Sequence, residues 1–256
     1  MRMIVAFQKT EQVRHIGHLD IQRAVQRALR RSGIPVRYTE GFHPHTVLSF
    51  ASPLPVGASG AFELMEFALA AECDPGEVLS SMQNAMPPSL PVFDGRAVPD
   101  SHPKLAAMLK MADYRATFDG TPAAHQMADA VGAFLEQREI IALRKTKSGE
   151  KPCDIRPMIY QLHVEANEHA GTANQTEIKK TPDFHEHTEI NERAEINEQT
   201  VAFVFRVSLT EKETLKPDLL LQTLSRHAGV ALPAYRLHRQ RLLAELHGKP
   251  VNLMER

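Results

Sequence analysis

Twice along the chain, strand-like and helix-like patterns follow one another in the order that a layered α+β fold requires. Residues 3–9 (MIVAFQK) read as a short strand. Residues 18–33 then set Ile21, Val25, Ala28 and Leu29 at helical spacing and stop at Gly33. Gly17 is an acceptable cap for this helix, and Asp20 lies in its first turn, where negative charge is favoured. Strand signals return at 34–40, 46–51 and 61–70. Residues 74–86 open on Asp-Pro and read as a helix, and 90–98 closes the series as a strand. The order, β-α-β-β-(β)-α-β, is close to the ferredoxin-like plan. A looser repeat follows: a strand at 112–120, a helix at 121–139 capped by Thr121 with Pro122 at its first position, and a hairpin with a basic extended segment over 140–166. The most β-like stretch is 200–210; a helix at 216–229 and an Arg- and Leu-rich segment from Tyr235 to Leu246 come after it. The pattern predicts an α+β protein of two ferredoxin-like (split βαβ) halves in tandem, 1–105 and 106–256. Residues 167–199 interrupt the second half. They repeat Thr-Glu-Ile and Glu-Ile-Asn with few large apolar residues, which predicts a disordered low-complexity insertion.

At 256 residues and 43% hydrophobic, the chain has material for a sizeable core. No apolar run is long enough to cross a bilayer, and MRMIVAFQKT turns polar too soon for a secretory signal. Cys73 and Cys153 stand far apart and form no ligand cluster. A reducing, cytoplasmic setting is the expectation.

The near-neutral whole hides a local asymmetry. Residues 2–45 carry eight Lys and Arg against three acids, a net +5, whereas 165–199 carry nine acids against three bases, a net −6. Arg23, Arg27, Arg30 and Arg31 recur at i, i+4, i+7 and i+8, opposite the apolar stripe of their helix. Several guanidinium forks on one rigid face suit backbone phosphates, although the same stripe would serve as a solvated face or meet an acidic protein. A second basic group, Arg144, Lys145, Lys147, Lys151 and Arg156, falls on the predicted hairpin. Arg236, Arg239 and Arg241 form a third. Three clusters point to a polyanion.

Residues 38–57, YTEGFHPHTVLSFASPLPVG, contain two histidines, three prolines and two bracketing glycines. Three readings of His43 and His45 stand open: a His-x-His metal site completed by His15 and His18, an acid–base pair able to cleave RNA through its 2′-hydroxyl, and a stiff binding loop turned at Gly41 and braced by Pro44. The HEH run at 185–187 would be a further metal motif, but a polar insert offers it no rigid support.

HLD (18–20) at the start of a basic helix, GFHPH (41–45), LSFASPLPVG (48–57) and Glu63 with Glu66 in ELMEF together resemble the radical-SAM-linked protein family. DIRP (154–157) resembles a weaker landmark of that family's second half. The family's usual asparagine is His43 here, its proline is Thr46, and its serine is Gly17. An amide cannot replace an imidazole on a transition metal. The resemblance therefore argues against a metal site at His43 and moves interest to His18 and His45. It implies a protein usually encoded beside, or fused behind, a radical SAM enzyme. This chain lacks a Cys-x-x-x-Cys-x-x-Cys run, so the iron–sulfur cluster and S-adenosylmethionine are expected on that partner, with no cofactor or metal here.

Three functional expectations follow. The first is a non-catalytic accessory protein that binds tRNA or rRNA and presents it to the radical SAM enzyme. Arg23, Arg27, Arg30, Arg31, Arg144, Lys145 and Arg156 would contact phosphates, and Gly41, Phe42, His43 and His45 would orient a nucleotide above a His18–Asp20–His45 cluster. The second is a metal-independent ribonuclease or RNA-modifying enzyme using His18 and His45 with Asp20 or Glu40. The third is a protein-interaction module whose basic helix docks the radical SAM enzyme.

Overall fold

The computed structural model describes residues 1–146, 149–165 and 200–255. Its strands are β1 (Arg2–Lys9), β2 (Leu48–Phe50), β3 (Ala58–Ala68), β4 (Val92–Val98), β5 (Met111–Asp119), β6 (Ile141–Thr146), β7 (Gly149–Asp154), β8 (Ile159–Glu165), β9 (Thr200–Ser208), β10 (Tyr235–Leu246) and β11 (Lys249–Asn252). Its helices are α1 (His18–Arg31), α2 (Pro75–Ala85), the single turn α3 (Leu105–Met108), α4 (Pro122–Glu136) and α5 (Pro217–His227). A nine-stranded, mostly antiparallel sheet runs β4-β1-β3-β10-β5-β9-β8, with β2 added to β3 and β11 to β10; β6 and β7 form a separate hairpin. The architecture is mixed α+β.

The helices begin where side chains satisfy their first free N–H groups. Asp74 accepts the Glu77 N–H at 3.0 Å and Thr121 accepts the Ala124 N–H at 3.2 Å, each followed by proline in the first turn. On α1 the buried residues are Ile21, Val25, Ala28 and Leu29, the apolar stripe of the sequence. They pack with α2 and with Met3, Val5 and Phe7 of β1. A second core gathers α4, α5 and the inner residues of β5, β9 and β10, and extends to Ile4, Ala6 and Leu64 on the other face of β1 and β3. The period of two along β1 thus feeds two cores from one strand.

Two local expectations change. Residues 34–40 form no strand, only single bridges from Val36 to Leu69 and Tyr38 to Thr46; Pro35 lacks the N–H that a ladder needs at that point. The Tyr235–Leu246 segment is a twelve-residue strand at the centre of the sheet, parallel to β3 through Leu237–Arg239 and antiparallel to β5. The predicted insertion at 167–199, with its HEH run, lies outside the described residues. Among those described, no helix is long and apolar enough to cross a membrane.

Candidate functional site

The strands meet at a buried ionic cluster. Arg239 of β10 is fully buried and forms a two-pronged ion pair with Glu63 of β3, its Nε 2.8 Å from Oε1 and its Nη2 on Oε2. Nη2 also donates to the Ser52 carbonyl at 2.9 Å. A bulge makes this possible: Phe7 pairs with Glu63 and Lys9 with Gly60, so β3 carries one extra residue there. Gly60 and Glu63 therefore share a face, and the carboxylate lies where a Gly60 side chain would be. Lys9 is buried beside them and donates to the Arg14 carbonyl at 2.9 Å. Burial pushes its pKa down, against the pull of Glu63. Burial also works against the Arg239 cation, but Glu63 and Tyr114 outweigh it and raise its pKa. Next to this cluster Ser59 donates to Glu11 and lies 2.8 Å from Nδ1 of His238. These contacts tie β3 to β10.

The other face of β3 holds a second buried pair, Arg2 with Glu66. Glu66 also accepts from Ser49 of β2 at 3.0 Å, and Lys104 stands 3.9 Å away. Glu63 and Glu66, three apart on one strand, thus serve opposite faces. Both carboxylates are spent on arginines; within LSFAS, Ser49 donates to Glu66 and Ser52 accepts from Arg239.

The loop from Thr39 to His45 is a short hairpin. Thr39 N–H donates to the His45 carbonyl at 2.8 Å, and His45 N–H donates to Thr39 Oγ1 at 2.9 Å. Gly41 sits at φ +121°, a conformation that L side chains rarely adopt. Phe42 at the tip is wholly exposed at 101%, and His43 and His45 are exposed beside it. His18 is elsewhere occupied: its ring and that of Phe50 form a T-shaped pair with centroids 4.9 Å apart, and Phe50 packs on Phe7. Burial lowers the His18 pKa. Asp20 is exposed and accepts from Arg23 at 2.9 Å. Among the described residues, no hydrogen bond, ion pair or ring contact joins His18, Asp20 and His45 to one another.

The arginine stripe divides. Arg23 is paired with Asp20, and Arg31 donates to the Ala85 carbonyl at the end of α2 at 2.7 Å, which satisfies a free helix-end acceptor. Arg27 and Arg30 are exposed and have no ion-pair partner among the described residues. The second basic group divides too. Arg156 is half-buried and donates to the Leu135 carbonyl at 3.2 Å, while Asp154 accepts the N–H groups of Ile140 and Arg156, each at 2.9 Å. DIRP is thus the clamp at the base of the β6–β7 hairpin. Arg144 and Lys145 are exposed on that hairpin, with Arg144 directly opposite Lys151; Lys147 lies outside the described residues. Ile141, Leu143 and Tyr160 are exposed as well. In the third group Arg239 is buried and Arg241 contacts Asp113 at 3.4 Å.

Sequence reasoning missed Lys9, Arg2 and the pairing of Arg239. The available signal was a charged residue inside each apolar strand pattern, which needs a counter-charge when buried. No group of three or more His, Cys, Asp or Glu suited to a metal occurs among the described residues.

This arrangement defines a mixed α+β protein built on one broad sheet, with an exposed cationic hairpin and a glycine-turned aromatic loop. The chain belongs to DUF2344, a family of uncharacterized proteins conserved in bacteria, whose pattern matches residues 2–217. No curated protein matches it. Among solved structures it is similar to a chain of a Cbf5-Nop10-Gar1 complex, at 11% identity and a TM-score of 0.46, over 94% of this chain and 48% of that one. The chain therefore spans about half the length of that relative.

Proposed function

We propose that this is a cytoplasmic, non-catalytic RNA-binding accessory protein that presents tRNA or rRNA to a radical SAM enzyme. The observation that carries the reading is the Arg144–Lys151 pair. Like charges directly opposite on a hairpin repel, and neither residue has an ion-pair partner among the described residues, the adjacent Glu150 standing opposite Lys145 in the next pair. They leave a rigidly based arm that a polyanion would neutralise. Arg27 and Arg30 supply two more guanidinium groups, without an ion-pair partner among the described residues. The radical SAM partner, with its iron–sulfur cluster and S-adenosylmethionine, rests on the sequence resemblance alone.

The same proposal takes the sheet as two ferredoxin-like units. In each half the first strand lies between the fourth and the third: β4-β1-β3 with β2 on the outer edge, and β10-β5-β9-β8. That repeated order supports the reading, and β10 is then the seam.

Retention of bulk tRNA on filters tests it. Wild-type protein binds with an affinity that falls as salt rises, and Arg27→Ala with Arg30→Ala, or Arg144→Glu with Lys151→Glu, weakens binding and flattens the salt slope by about 0.7–0.9 per phosphate contact removed. Unchanged binding in both double variants would overturn the reading. A second reading, a module that docks the enzyme directly, is favoured by the exposed Ile16, Leu19 and Val56 near the start of α1. Co-purification that survives nuclease and fails in Leu19→Asp selects it.

A further inference from the structure

The helix layers lie on opposite faces of the sheet and leave part of it bare. The residues that α1 and α2 bury belong to a core containing no residue of β5, β8, β9 or β10. The apolar residues buried by α4 and α5 lie on the other face, with Ala116 and Phe118 of β5 and Phe203 and Phe205 of β9. Among the described residues, no helix therefore covers the opposite face of β10, β5, β9 and β8. We propose that this bare face binds the sugar-phosphate backbone of an RNA duplex stem, with Arg236 and Arg241 of β10 as the main phosphate contacts.

Strand register brings the charges together. Arg236 stands opposite Thr117, and His238 opposite Arg115 in the next row. Arg241, Asp113 and Arg206 form a third row across β10, β5 and β9. Glu165 lies on the same face at the end of β8, opposite Ala202. Four arginines thus share these rows with two carboxylates, and both carboxylates are spent. Asp113 takes two bonds from Arg206, at 2.6 and 2.9 Å, and Glu165 is paired with Arg115 diagonally across β9. Two guanidinium groups are left over. Arg236 is exposed and has no ion-pair partner among the described residues. Arg241, with a side chain 58% exposed, only brings its Nε to 3.4 Å from an Asp113 oxygen that already accepts from Arg206. The surplus positive charge is therefore carried by one strand in the middle of the sheet, a rigid mount that suits phosphate oxygens.

The surface chemistry selects the form of the RNA. These rows contain no aromatic side chain, so they lack the stacking platform that favours unpaired strands. The face is also broad: four strands spaced ~4.8 Å apart extend about 14 Å from first to last, wider than a groove for one strand. Paired RNA presents phosphates from two strands and is recognised through shape and backbone contacts, without readout of sequence.

The proposed surface rests on the RNA-binding reading for its ligand, and the experiment separates the two. An RNA duplex of about 16 base pairs and an oligouridine with the same number of phosphates are titrated by fluorescence anisotropy against the full chain. The duplex is expected to bind more tightly than oligouridine, whatever its sequence. Arg236→Glu with Arg241→Glu should weaken it about ten-fold or more and flatten its salt dependence. Glu165→Gln releases Arg115 and should strengthen it about two-fold or more, a gain that damage to the fold would not produce. Arg236 and Arg241 are exposed, so their variants fold; a thermal melt verifies it. Duplex binding indifferent to the Arg236 and Arg241 changes overturns the face, even where tRNA is retained through Arg144 and Lys151. Duplex binding that needs Arg236 and Arg241 but ignores the hairpin and α1 variants keeps the face and overturns the earlier choice of contacts. Tighter binding of oligouridine overturns the duplex assignment. Polyglutamate that displaces the duplex at equal charge overturns the RNA assignment and gives the face to an acidic protein.

Discussion

Arg144 stands directly opposite Lys151 in the β6–β7 hairpin, and neither has a carboxylate partner among the described residues. Their repulsion is a cost to the folded state that one substitution removes. Lys151→Glu is expected to stabilise the protein by about 0.2–1 kcal/mol while weakening tRNA retention. Denaturant midpoints and filter binding on the same preparation check both signs. A variant more stable and equally retentive would place the RNA elsewhere.

The buried pair at the seam makes the opposite prediction. Glu63→Ala leaves Arg239 charged, dry and unpaired, and should cost about 3–5 kcal/mol. Replacing both, Glu63→Leu with Arg239→Met, should cost much less, because no uncompensated charge remains. Urea unfolding of the single and double variants separates the two.

Gly60 is fixed by the same cluster. A Cβ there would lie 2.4 Å from Glu63 Oε1. Glu63 is clamped by two bonds from Arg239 and cannot swing aside. Gly60→Ala should therefore destabilise by about 1–3 kcal/mol, and Gly60→Ala in the Glu63→Ala background should add little. Additive losses would show that the carboxylate is not what the methyl meets.

His18 gives a pH dependence with a definite sign. Burial holds its pKa below the ordinary 6.5, so the folded state favours the neutral ring. The unfolded chain takes up a proton first as pH falls. Stability from this group is present above about 6.5 and is lost as pH falls from there through the folded-state value. His18→Phe keeps a ring against Phe50 without titrating, and should flatten the decline in denaturant midpoint between about pH 7.5 and 5.5. A decline as steep as wild type would assign it to other groups.

Much of this molecule is legible in its sequence, and the boundary is physical. The α1 core residues and the Asp74 and Thr121 caps are local signals, set by periodicity and by the next few N–H groups. Whether an arginine is free is not local. Arg31 is consumed by α2, Arg156 by α4 and Arg239 by β3, each through a contact far away in sequence. The basic stripe read as four cations is two in the fold. Residues 235–246 hid their strand because a central strand with polar contacts on both faces shows no clean alternation.

The position of β10 bears on how the protein is made. The Ala58–Gly60 stretch of β3 and one edge of β5 stay unpaired until β10 slots between them, and roughly 170 residues separate β3 from it, about 10–30 s of synthesis at ~5–20 residues per second. Once β5 has emerged within that interval, the nascent chain carries two sticky β edges, the kind that recruit chaperones or neighbouring chains. Arg239 arrives with β10, and until then Glu63 and Lys9 have no guanidinium between them. The seam that completes the sheet is therefore also the step at which the emerging chain hides these two interior edges.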